Sequence, residues 1–135
     1  GRRALIGAAL LLPAAPALAD TSVGSATTTP LLTSSAGNVT VASGGTIKVA
    51  GGTAITIDAG KTATVNSGGT LDIGSANGAS AIVANPGLTS AIVNQGAIKV
   101  TEDFTAKVLD NSTIAAGPVA SASSRYGIHV LSGGA

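Results

Sequence analysis

Six carboxylates, one histidine and many scattered serines are the side chains of this 135-residue sequence with the chemistry for catalysis or metal binding. The carboxylates are Asp20, Asp58, Asp72, Glu102, Asp103 and Asp110; the histidine is His129. Calcium-assisted proton abstraction needs clustered carboxylate oxygens with a basic residue beside them. Asp58 and Asp72 instead fall in separate repeat units, and Asp110 stands apart. Glu102 and Asp103 are adjacent, so on a strand they point to opposite faces. One histidine and no cysteine cannot assemble a multi-histidine or thiolate zinc site. No Gly-x-Ser-x-Gly occurs, and the alternation of His129 with Ile128 and Val130 reads as an outward strand position. The stretch Gly68-Gly-Thr-Leu-Asp72-Ile lacks the third glycine of the calcium-binding nonapeptide and misplaces its aspartate. The sequence therefore predicts a non-enzyme with no catalytic, cofactor-binding or metal-binding residues.

The element that organises the chain is a repeat. Read in eights from Gly37, the sequence runs GNVTVASG, GTIKVAGG, TAITIDAG, KTATVNSG and GTLDIGSA. The third position is Val39, Ile47, Ile55, Ala63 and Leu71, and the fifth is Val41, Val49, Ile57, Val65 and Ile73. Two apolar residues flanking one polar residue share one face of a strand, and Thr40, Lys48, Thr56, Thr64 and Asp72 point the other way. The eighth position is Gly44, Gly52, Gly60 and Gly68, ending at Ala76, and glycine there permits a sharp corner.

Burying two aliphatic side chains stabilises one octad by less than the ordering of eight backbones costs. The units must therefore stack, each layer pairing its N–H and C=O groups with the next. With three octads per coil, residues 24 apart lie in register, placing Lys48 over Asp72, Thr40 over Thr64 and Ile47 over Leu71. The fold class predicted is all-β, a right-handed parallel β-helix, with an antiparallel meander of hairpins as the alternative. Beyond Ala76 the octad loosens: Ser80-Ala-Ile-Val83 recurs as Ser90-Ala-Ile-Val93, and Ala97-Ile-Lys-Val100 and Arg125-Tyr-Gly-Ile-His-Val130 read as strands. Asn66, Asn77, Asn85, Asn94 and Asn111 recur near the turns between them.

Composition agrees with such a fold. One Phe, one Tyr and no Trp leave the interior to Val, Ile, Leu and Ala, and with no Cys no disulfide can staple it. Gly1 to Ala19 has the form of a helical signal peptide. Arg2 and Arg3 precede the apolar run Ala4 to Leu12, Pro13 and Pro16 break the helix, and Ala17-Leu18-Ala19 offers a cleavage site before Asp20. The paired arginines match a twin-arginine signal only loosely, and general secretion is the reading adopted. Without them, five basic residues face six acidic ones, a net charge of −1 that gives nucleic-acid binding no electrostatic support. The organisation expected is a signal peptide over 1–19, a polar linker or N-terminal cap over 20–36, and a β-helical repeat domain over 37–135.

The units VTVASGGTIKVAGGTAITIDAG, IVNQGAIKV and RYGIHVLSGG, following a signal peptide and free of Cys, resemble the passenger region of bacterial autotransporters. The resemblance rests on repeat style over Gly37 to Ala135. It implies export to the cell surface, the outer membrane or the medium, and an adhesin-like role. Its partners would be a host surface, the matrix or neighbouring cells, bound through an unidentified receptor. It also implies a C-terminal outer-membrane β-barrel, and no run of amphipathic strands of roughly 10 residues is present here. The repeat pattern is still running at Ala135, so the chain is expected to continue. A structural stalk for an enzymatic or barrel domain further on is the alternative function.

Overall fold

The computed structural model describes residues 18–74, 76–101 and 125–133. The proposed signal peptide, apart from Leu18 and Ala19, lies outside the described residues, as do Glu102, Asp103, Phe104, Asp110 and Asn111.

Each described octad forms a strand, and the chain distributes its strands among three sheets in strict rotation. The first layer holds β1 (Thr21–Val23), β2 (Ala26–Thr27) and β3 (Leu31–Leu32), then a single helical turn, α1 (Thr33–Ala36). The second holds β4 (Val39–Val41), β5 (Thr46–Val49) and β6 (Thr53–Ile57). The third holds β7 (Ala63–Val65), β8 (Thr70–Ile73) and β9 (Ser80–Ala84). The fourth holds β10 (Ile92–Asn94), β11 (Ala97–Val100) and β12 (Tyr126–Val130). The sheets are β1-β4-β7-β10, β2-β5-β8-β11 and β3-β6-β9-β12. Every described strand pairing is parallel, which removes the antiparallel meander. The protein is thus mostly strand with almost no helix, in an arrangement of the parallel β-helix kind.

The register follows the 24-residue coil where the octads are regular. Thr40 pairs with Thr64, Ile47 with Leu71 and Lys48 with Asp72. All ten residues at the third and fifth octad positions are buried, nine of them with no exposed surface and Val49 at 4%. Thr40, Thr56, Thr64 and Asp72 are half-buried on the outside, and Lys48 is exposed. The outward position tolerates a charge at far lower cost than the two that flank it, because an unpaired buried charge loses its hydration.

Outside the regular octads the coil changes length, yet the strands stay in register. The first coil is shorter, Thr21 pairing with Val39 and Ala26 with Thr46. Residues 20–36, read from sequence as a linker or cap, hold the three strands of this layer together with α1. Later coils are longer: Ile55 pairs with Ile82, Ala63 with Ile92 and Leu71 with Ile98. The added residues sit at corners, so the repeated Ser-Ala-Ile-Val segments place Ile82 and Ile92 at equivalent rungs of two different sheets. Ile82 is fully buried within the stack, whereas Ile92, in the fourth layer, only packs against the core from one side.

Two adjacent glycines shape the corner between the first and second sheets. Gly68 has φ = 83°, a left-handed conformation that L side chains resist. Gly69 is held by space: a Cβ there would lie 2.6 Å from the Val41 carbonyl oxygen of the layer above. The eighth octad position is not uniformly left-handed, however. Gly44, Gly52 and Gly68 have positive φ, and Gly60 does not.

Candidate binding surface

Parallel stacking converts sequence positions into columns on the outer faces. The first sheet presents Ser22, Thr40, Thr64 and Val93. The third presents Leu32, Thr56, Val83 and His129. The second presents Lys48, Asp72 and Lys99, so charge alternates plus, minus, plus down successive layers. Neighbouring strands lie about 4.8 Å apart, close enough for attraction, although exposed pairs of this kind contribute at most about 1 kcal/mol each. Asp72 makes its hydrogen bond further down the stack, accepting from the Thr101 hydroxyl at 3.2 Å. The Arg125 guanidinium donates to the Thr101 carbonyl oxygen at 3.0 Å, tying the following segment to the same edge.

Where the chain leaves the second sheet, the corner opens into a groove of about 650 Å³. It is lined by Thr28, Lys48, Asp72 and Thr101 together with the small residues Ala50, Gly51 and Gly74, and its surface is mostly apolar. Thr28 belongs to the first layer and Thr101 follows the last strand of the second sheet, so the groove runs along the stack. Among the described residues no three His, Cys, Asp or Glu side chains group to hold a metal ion.

Two carboxylates, Asp58 and Asp20, join the first layer to the second. Asp58, after β6, accepts from the Ser34 backbone N–H at 2.7 Å, the Ser34 hydroxyl at 2.6 Å and the Thr33 hydroxyl at 3.2 Å. Thr33 has no exposed surface, and its hydroxyl oxygen in turn accepts from the backbone N–H groups of Asp58 and Ala59. Asp20 accepts from both the backbone N–H and the side-chain amide of Asn38. The Asn38 side-chain oxygen then accepts from the Thr62 N–H at 2.8 Å, carrying the ladder into the third layer. A signal for Asp58 was present, since it occupies the sixth octad position, where the two preceding units have Ala42 and Ala50.

These contacts lower both carboxyl pKa values below the ordinary 3.8. For Asp58 the Ser34 hydroxyl is the main cause; for Asp20 it is the Asn38 backbone N–H. A lowered folded-state pKa stabilises the fold above the unfolded value and ceases to do so as pH falls through the folded one. Melting temperature should therefore hold steady from neutral pH to about 4 and decline below that. Asp58→Asn should lower the plateau slightly and flatten the acid limb, which a series of thermal melts at graded pH would read.

His129 takes the outward place opposite Val83 and stacks on Tyr126, with ring centroids 4.2 Å apart. The only histidine and only tyrosine thus contact each other, and the structure brings no carboxylate to them in a hydrogen bond among the described residues. Among those residues no helix is long and apolar enough to cross a membrane, which leaves strand-built membrane segments unaddressed. No protein-family model, curated protein or solved structure matches this chain.

Proposed function

We propose that this chain is an exported, right-handed parallel β-helical segment of the autotransporter-passenger kind, acting in adhesion or self-association and carrying no catalytic site of its own. The observation that carries the reading is the set of three parallel four-stranded sheets whose outward residues line up in columns, charged on the second sheet and mixed polar and aliphatic on the first and third. A stack of this form presents its outward side chains at a regular spacing from layer to layer, which suits weak contacts multiplied along a partner. Right-handedness accords with the strong preference of crossovers between parallel strands. Export accords with the basic, apolar and small-residue order of Gly1 to Ala19 and with a fold that needs no disulfide.

The test uses the organism that makes the protein and a strain deleted for it. Intact cells are treated with an external protease, and settling in liquid culture and retention on collagen-coated glass are measured. The reading predicts that external protease removes the protein and that deletion reduces settling or retention several-fold. Full protection from the protease, with both behaviours unchanged on deletion, would refute it.

A further inference from the structure

The geometry points to Asn77-Gly78 as a self-modification site, where the asparagine converts to aspartate and isoaspartate without an enzyme. Both residues are exposed at the corner between β8 and β9. They are the central pair of a tight turn closed by the Ala79 N–H donating to the Ala76 carbonyl oxygen at 3.2 Å. Gly78 has φ = 78°, and a Cβ built on it would meet nothing within 4 Å. Neither the Gly78 N–H nor the Asn77 side-chain amide makes a hydrogen bond among the described residues. In the reaction the Gly78 backbone nitrogen attacks the Asn77 side-chain carbonyl carbon, the new C–N bond closes a five-membered imide, and the amide nitrogen leaves as ammonia. Water then opens the ring at either carbonyl, giving aspartate or the isoaspartyl linkage.

The other described asparagines are each held back by the structure. Asn38 has its amide nitrogen engaged by Asp20 and its oxygen by the Thr62 N–H. Asn85 precedes Pro86, whose nitrogen carries no proton to lose. Asn94 lies in β10, and its side-chain oxygen accepts from the Gly96 N–H. Asn66 is pinned on both sides, its N–H donating to the Val41 carbonyl and its own carbonyl accepting from Gly69. Asn77 alone among these five joins an exposed side chain, an unhindered following residue and an N–H free of hydrogen bonds. Its conversion sets a new carboxylate one residue from Ala76, whose Cβ lies 3.0 Å from the position a Cβ would take on Gly51, a lining residue of the groove.

The test incubates the full chain at mildly alkaline pH and maps peptides by mass spectrometry, with isoaspartate identified by isoaspartyl methyltransferase labelling. Folded protein should convert Asn77 faster than Asn38, Asn66 or Asn94 by about tenfold or more, equivalent to ~1.4 kcal/mol in barrier. In urea, Asn38, Asn66 and Asn94 should lose their protection and the disparity should shrink. Asn77→Gln should abolish isoaspartate at this peptide in the folded protein. Native Asn77 that stays amidated over times at which the urea-unfolded chain has converted would overturn the inference.

Discussion

Ile57→Asp is expected to eliminate the folded stack, whereas Thr56→Asp leaves it intact. The two positions are neighbours on β6 with opposite facing: Ile57 has no exposed surface and Thr56 is half-buried on the outside. Ile57 pairs with Ala84 in the next layer and belongs to the continuous aliphatic interior. Replacing it removes a side chain whose burial stabilises by roughly 1.5–3 kcal/mol and inserts a carboxylate with no partner. The combined penalty is about 5 kcal/mol or more, comparable with the whole stability of an ordinary domain. At position 56 the carboxylate reaches water, between Leu32 and Val83 in register, and the cost should stay below about 1 kcal/mol. Circular dichroism through a thermal melt separates the two, and equal losses would contradict the facing of the strand.

Gly69→Ala should be nearly as severe for a different reason. The added Cβ would stand 2.6 Å from the Val41 carbonyl oxygen and 3.1 Å from those of Ala42 and Asn66. All three are backbone atoms, so no rotamer change relieves the contact, and the layers must move apart at this corner. That movement would strain the Thr70 N–H bond to the Gly45 carbonyl and the Gly69 N–H bond to the Asn66 carbonyl. A loss of roughly 3 kcal/mol follows from overpacking combined with weakened hydrogen bonds. Gly24→Ala is the control, because a Cβ there meets nothing within 4 Å and φ is not left-handed. Its melting temperature should stay close to that of the parent, while Gly69→Ala drops by many degrees.

The interior of the middle layers was legible in the sequence because stacking and side-chain alternation are both periodic. Val39, Ile47, Ile55, Ala63 and Leu71 recur at a fixed interval, and the 24-residue register placing Lys48 beside Asp72 follows from three such intervals. The first layer was illegible since its coil is shorter and its strands lack the apolar-polar-apolar triplet. Thr21 and Thr27 occupy rungs that aliphatics fill below, opposite Val39 and Ile47. Polar residues are admitted there by a layer that, among the described residues, has neighbours on one side only. Asp58 stood out at its octad position, but its partners Thr33 and Ser34, like the pairing of Asp20 with Asn38, were hidden because they depend on which corners meet after stacking. Coil lengths beyond Ala76 were legible only as strands, because corner insertions shift the interval without disturbing the rungs.

The absence of cysteine makes one measurement unusually clean. Two double variants, Thr40→Cys with Thr64→Cys and Thr40→Cys with Lys48→Cys, are oxidised gently and assayed for an intramolecular disulfide by gel mobility and peptide mapping. Thr40 and Thr64 are register partners on adjacent parallel strands, within the roughly 4.4–6.8 Å Cα separation that a disulfide spans. Thr40 and Lys48 lie on strands of different sheets, yet hairpin pairing of successive octads would bring them onto neighbouring strands. The three-sheet parallel stack predicts rapid closure of the first pair and little of the second. Closure of the Thr40–Lys48 pair with the Thr40–Thr64 pair left open would contradict it.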